Sequence, residues 1–143
     1  MKRILATALV IASTLVAAGA SFAQDQQLKA TVPFNFTVGD STLPAGTYTV
    51  GANTYSPDVL ALRNREKHIN ILTIGRSDES NPRKVDVLVF HKYGNQYFLS
   101  QIRSEGASLN IDFTVTKAEK RARTQVEEAG LSVNDPVLIA LNQ

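Results

Sequence analysis

Between Arg83 and Ser104 the chain alternates with period two and is apolar on both faces, and this segment limits the possible folds more than any other. Gly94-Asn95 sits between its two β-rich runs, a two-residue hairpin signal. A loop of that length pairs Tyr93 with Gln96, His91 with Phe98 and Val89 with Ser100. One face then carries Val85, Val87, Val89, His91, Phe98 and Ile102, and the other Leu88, Phe90, Tyr97 and Leu99. A hairpin at the edge of a sheet keeps one polar face. One that is apolar on both lies centrally, covered on each side by other elements or a partner.

The remaining segments supply the cover. Leu28 to Val38 alternates, with Leu28, Ala30, Val32, Phe34, Phe36 and Val38 on one face, and reads as one half-buried strand. Pro33 cannot donate to a ladder, which puts that position on an edge or at a bulge. Turns follow at Gly39-Asp40-Ser41 and Pro44-Ala45-Gly46. Thr47 to Ala52 alternates again, with Tyr48 and Val50 inward. Asn53 to Asp58 reads as a loop, Val59 to Arg63 and Ile69 to Ile74 as short strands, and Gly75 to Pro82 as an exposed polar loop. Leu109, Ile111, Phe113 and Val115 mark a further strand.

Thr116 opens a Thr-x-x-Glu capping box with Glu119, and Gly130 suits the C′ position, so a helix is expected over about 117–129. Its apolar positions are only Ala118, Ala122, Val126 and Ala129, a stripe that docks weakly. Val137 to Leu141 can add a terminal strand. The fold class is therefore mainly β: an antiparallel sandwich or a small barrel of about seven or eight short strands with one C-terminal helix.

The N-terminus reads differently. Met1-Lys2-Arg3 precedes an apolar run from Ile4 to Ala18 and the small-x-small pattern Ser21-Phe22-Ala23, the layout of a secretory signal peptide. The run is short for a membrane span, which needs about 20 strongly apolar residues. The division expected is a leader over 1–23, with Ala20 as the alternative cut, and a single β-rich domain over 24–143. The whole chain has 15 Lys plus Arg against 13 Asp plus Glu. Lys2 and Arg3 leave with the leader, so the mature chain carries 13 of each and is neutral. A neutral chain offers no sustained field to nucleic acid, although a local basic patch survives neutrality. Without cysteine, an exported domain of this size must rely on its core and hydrogen bonds.

Chemistry-bearing motifs are few. His68 and His91 are the only histidines. His68 with Glu66, or His91 with Asp86, falls short of the clustered ligand set a metal needs, so His68 reads as an exposed turn residue and His91 as a hydrogen-bonded strand residue. No Gly-x-Ser-x-Gly elbow, Gly-x-Gly-x-x-Gly or Walker pattern is present. Phe90, Tyr93, Tyr97 and Phe98 could form a stacking platform, but hairpin aromatics are more often core or cross-strand pairs. The basic run Lys117, Lys120, Arg121 and Arg123 is interrupted by Glu119 and followed by Glu127 and Glu128, as on a solvated helix face with i,i+4 pairs. The strands are mostly too short for an outer-membrane barrel. No catalytic, cofactor-binding or metal-ligating residue is assigned.

The blocks Val32-Pro33-Phe34-Asn35-Phe36-Thr37-Val38-Gly39, Leu43-Pro44-Ala45-Gly46-Thr47-Tyr48-Thr49-Val50 and Val89-Phe90-His91-Lys92-Tyr93-Gly94-Asn95-Gln96-Tyr97-Phe98-Leu99-Ser100 occur in that order. Together they resemble a family of small exported bacterial β-rich proteins of unknown function. The resemblance extends to about Ser104; it implies export and a compact β domain and brings no site residues. The function expected is a non-enzymatic exported module, periplasmic or extracellular, working through surface contacts with an envelope protein or cell-wall component, without nucleic acid and without stable membrane insertion after cleavage. A β-barrel carrier of small apolar ligands is the alternative, and a hydrolase with an unrecognised site the third. N-terminal sequencing of the exported protein should begin at Gln24; material that still begins at Met1 would contradict the leader.

Overall fold

The computed structural model describes residues 27–53, 55–79, 84–133 and 135–142. The expected leader, its cleavage site and part of the 75–82 loop lie outside these residues. The described chain forms eleven strands and one helix: β1 (Leu28–Val32), β2 (Phe36–Val38), β3 (Ser41–Leu43), β4 (Gly46–Asn53), β5 (Ser56–Asn64), β6 (Ile69–Ile74), β7 (Arg76–Ser77), β8 (Val87–Tyr93), β9 (Gln96–Ser104), β10 (Leu109–Asp112), α1 (Lys117–Glu128) and β11 (Val137–Ala140). They build two sheets with a half-barrel curl, so the fold is mainly β, as the alternation implies. One sheet runs β1-β4-β5-β6 and the other β11-β8-β9-β10-β7, with β2 and β3 attached beside β9.

Three places carry the chain from sheet to sheet: Pro33, the Pro44-Ala45 turn between β3 and β4, and Gly75. The first is Pro33. The expected single strand from Leu28 to Val38 is broken there: β1 pairs antiparallel with β4, whereas β2 pairs with β3 and, in parallel, with β9 through Thr37 and Phe98. Pro33 lacks the N–H that a continuous ladder would need, so the chain bends and changes partner. The inward alternation nonetheless survives the bend, and Val32 and Phe36 are both buried. The last crossing is Gly75, between β6 and β7. Its N–H still bonds Asp58 O at 2.9 Å in the first sheet, while Arg76 and Ser77 already pair with Asp112 and Ile111 in the second. Part of the expected 75–82 loop is thus a strand. Opposite this seam, Lys29 and Asn142 exchange two backbone hydrogen bonds of 2.7 and 2.8 Å, joining β1 to the chain leaving β11.

The core fills the space between the sheets. Phe36 lies edge-on to Tyr48 of one sheet and to Phe90 of the other, with ring centroids 5.2 and 5.3 Å apart. Phe34 continues the cluster, edge-on to Phe90 at 5.2 Å and stacked on Tyr97 at 3.8 Å. Leu28, Val50, Leu60, Leu62, Leu88, Ile102 and Ile111 pack around these rings and are fully buried. Tyr48 satisfies its hydroxyl by donating to Pro44 O at 2.6 Å, as a buried phenol must.

The hairpin departs from the expected register at one point. Tyr93 pairs with Gln96 and His91 with Phe98, but Val89 pairs with Gln101 instead of Ser100. Ser100 is the extra residue of a β-bulge, and its carbonyl accepts the N–H of Phe113 at 2.9 Å. The bulge reverses the alternation beyond it. Ile102 therefore faces the core with Leu88, and not the His91 face to which a regular ladder assigns it. The Phe113–Ser100 hydrogen bond continues the β9–β10 register one residue beyond Asp112, where β10 ends short of the expected Val115.

Two other expectations change, the loop at 53–58 and the helix's docking stripe, while the helix ends and the terminal strand are as expected. Asn53 to Asp58 is not an open loop: β4 and β5 run nearly to the tip of a hairpin, with Asn53 paired to Ser56. Helix α1 begins as expected, Thr116 Oγ1 accepting the Glu119 N–H at 3.2 Å. It ends in a Schellman motif, with Gly130 at φ +70° and hydrogen bonds from Gly130 to Glu127 O and from Leu131 to Val126 O. Its docking stripe is Glu119, Ala122 and Val126, while Ala118 and Ala129 are exposed. Ala122 and Val126 close over Tyr93 and Phe98 as a second small core. The apolar run near the C-terminus is β11, paired antiparallel with β8, and it completes the central position of the hairpin.

Two outcomes follow in denaturant titration. Phe98→Ala should cost about 3–5 kcal/mol, because it empties the core beneath α1; a loss below about 1 kcal/mol would mean that the helix does not seal this face. Gly75→Ala should cost about 1–3 kcal/mol, because a Cβ there collides with the Ile111 side chain at the seam.

Candidate functional site

His68 lies in the exposed turn between β5 and β6 with φ +53°, and Glu66 of the same turn is exposed beside it. His91 sits on β8, and its Nδ1 lies 2.6 Å from Glu119 Oε1. Tyr93 donates its hydroxyl to the same oxygen at 3.2 Å. The buried Glu119 carboxylate thereby ties α1 to the hairpin instead of completing the capping box with its own side chain. Asp86 is used elsewhere, accepting from Ser104 Oγ at 2.7 Å and Glu105 N–H at 3.0 Å. His91 is thus paired with Glu119 and not with Asp86. Among the described residues no three His, Cys, Asp or Glu side chains could hold a metal ion together. The four hairpin aromatics divide between the two cores: Phe90 and Tyr97 pack inside, and Tyr93 and Phe98 lie beneath α1. The helix cations face solvent, and Arg123 pairs with Glu127 at 2.8 Å one turn on.

The two sheets present different outer faces. The outer face of the second sheet is partly covered by α1. Beside the helix, Arg103 is buried and holds Asp112 at 2.5 Å and Asp78 at 3.6 Å. No helix among the described residues covers the outer face of β1-β4-β5-β6. Strand register aligns Lys29, Thr49, Arg63 and Asn70 in one row across all four strands. Neighbouring strands are about 4.8 Å apart, so these side chains stand side by side. Thr31 and Thr47 form the next row, their hydroxyls 3.0 Å apart, and Arg65 follows Arg63 in the β5–β6 turn.

On the other side of the basic row lie Gly51, Ala61 and Leu72, and then Val59 with Ile74. Leu72 and Ile74 are 72% and 76% exposed. Among the described residues these rows carry no carboxylate, and Lys29, Arg63 and Arg65 have no ion-pair partner. Three grooves converge here. One of about 380 Å³ runs along Thr49, Gly51, Ala61, Arg63 and Leu72 and reaches Ala107 and Leu109. One of about 310 Å³ lies among Gln27, Lys29, Thr49, Arg65 and Asn142, and one of about 530 Å³ among Arg63, Arg65, His68 and Asn70.

The sequence reading singled out none of Lys29, Arg63 or Arg65. Their signal was their outward phase in alternating strands, which marks an exposed face but not its neighbours. Only the pairing of β1, β4, β5 and β6 puts residues from four separate segments in one row.

Compared with known proteins, the chain matches no family model, no curated protein and no solved structure.

Burial, reinforced by the nearby Glu119 carboxylate, raises the Tyr93 phenol above its ordinary value. Burial raises Tyr48 as well, against an opposing hydrogen bond with Asn64. Both are held neutral in the fold. Their contribution to stability is complete below the pKa of unfolded tyrosine, about 10, and is lost as pH rises through the higher folded values. Stability measured against pH should fall from about pH 10 upward, and Tyr93→Phe should make that fall shallower. An unchanged alkaline slope in Tyr93→Phe would contradict the assignment.

Proposed function

We propose that this protein is an exported, non-enzymatic binding module that acts through its outer surface in the cell envelope. The observation that carries this reading is the contrast between the two sides of β1-β4-β5-β6. The inner side is filled by Tyr48, Val50, Leu60 and Leu62 packed against the aromatic cluster. Among the described residues nothing is packed over the outer side, which is grooved and carries Lys29, Arg63 and Arg65 without ion-pair partners. A carrier of apolar ligands needs room between the sheets, where here aromatic rings stand in contact. A catalytic reading would need a nucleophile or an acid–base pair facing a cleft. Among the described residues the close His–acid pair, His91 with Glu119, instead fastens α1 to the hairpin.

Thermal unfolding with candidate ligands separates the readings, because a ligand bound only by the folded state raises the melting temperature. Fatty acids, sterols and quinones should leave it unchanged. Envelope components, including peptidoglycan fragments and anionic lipid, should include one whose binding is lost in Arg63→Glu with Arg65→Glu and kept in the conservative interior change Leu60→Met. A rise of several degrees with an apolar small molecule, lost on the interior change and kept in the arginine variant, would overturn the surface module in favour of the carrier.

A further inference from the structure

We infer that the outer face of β1-β4-β5-β6 docks flat onto a membrane surface bearing anionic headgroups, with phosphates at its basic rows and its aliphatic rows against the lipid boundary. This rests on the surface-module reading and names what the surface meets.

Two properties of the face occur together. Lys29, Arg63 and Arg65, with the hydroxyls of Thr31, Thr47 and Thr49, offer cations and hydrogen-bond donors in adjacent rows; Glu66 follows Arg65 in the β5–β6 turn, and none of the three cations has an ion-pair partner among the described residues. Arginine pairs with phosphate oxygens in bidentate fashion, and threonine hydroxyls add to that. About 7 Å further along the strands, the same face becomes aliphatic at Ala61 and Leu72, then Val59 and Ile74. At the end of this gradient, the tip of the β4–β5 hairpin presents Tyr55, which is 95% exposed. An exposed tyrosine is amphipathic and suits a headgroup boundary.

A soluble polyanion, such as an acidic glycan or a nucleic acid, would engage only the basic half and leave Leu72 and Ile74 in water. An apolar partner protein would use the other half and leave three cations without counter-charge. An anionic lipid surface satisfies both halves at once. The contact is peripheral: no helix among the described residues is long and apolar enough to cross a membrane.

The test is co-sedimentation of the purified protein, as its cells deliver it, with vesicles of phosphatidylglycerol mixed with phosphatidylcholine and with phosphatidylcholine alone. Binding should require phosphatidylglycerol and weaken as salt is raised. Arg63→Gln with Arg65→Gln should weaken it roughly thirty-fold. Leu72→Ser with Ile74→Ser should weaken it by about tenfold or more. All four positions face outward, so unchanged melting temperatures in both variants would tie the losses to docking.

Equal binding to both vesicle types would overturn the inference, as would binding indifferent to both pairs of substitutions. Binding to a soluble polyuronate or to DNA that loses affinity in the arginine variant and ignores Leu72 and Ile74 would also overturn it. That last outcome would leave the surface module standing, whereas stabilisation by an interior apolar ligand would remove the module itself.

Discussion

Phe36 is the residue on which both sheets close. Its ring meets Tyr48 from one sheet and Phe90 from the other, each edge-on at about the same distance. Edge-to-face pairs of this kind add about 0.5–1.5 kcal/mol beyond the apolar area they bury. The larger effect is geometric. A side chain that touches both sheets fixes their separation, and the remaining core residues pack to that spacing. Phe36 reaches this place because Pro33 stops β1 and lets the chain cross over. The proline that weakens a strand locally is what makes a single core possible.

That arrangement decides where function can reside. The aromatic cluster occupies the space between the sheets, and Gly75 at one seam and the Lys29–Asn142 pair at the other draw the sheets together. Helix α1 is held by Glu119 to His91 and Tyr93, and it covers part of the outer face of the second sheet. Among the described residues no element packs over the outer face of β1-β4-β5-β6. Its outward residues contribute little to folding, since exposed substitutions usually change stability by less than about 0.5 kcal/mol. Its charge and its exposed leucine and isoleucine are therefore open to a binding role, and the proposed docking uses both.

Much of this was legible in the sequence because period-two alternation reports burial directly. The central hairpin, the inward phase of β1, β4 and β10, the cap at Thr116 and the stop at Gly130 all follow from local patterns. Three features were not legible, each for a physical reason. The bulge at Ser100 leaves no local mark, because the residues around it alternate as in a regular strand and only the pairing of β9 with β8 shows the extra residue. The inward turn of Glu119 depends on His91 and Tyr93, which only the fold brings near. The basic row needs the register of four strands, and alternation gives each strand's phase without its partners. Pro33 is an intermediate case: the residue announced an irregularity, but not a change of sheet.

The central claim is that one filled core binds both sheets and leaves no working space between them. Native-state amide hydrogen exchange tests it most directly, because it measures the opening free energy of each strand separately. The core amides of Tyr48 and Leu62 in one sheet, and of Phe90 and Ile102 in the other, should exchange with a single opening free energy equal to the global stability from denaturant titration. If the β1-β4-β5-β6 amides instead opened several kcal/mol more easily than those of β8 and β9, the sheets would separate as independent units, and the space between them would be available to a ligand after all.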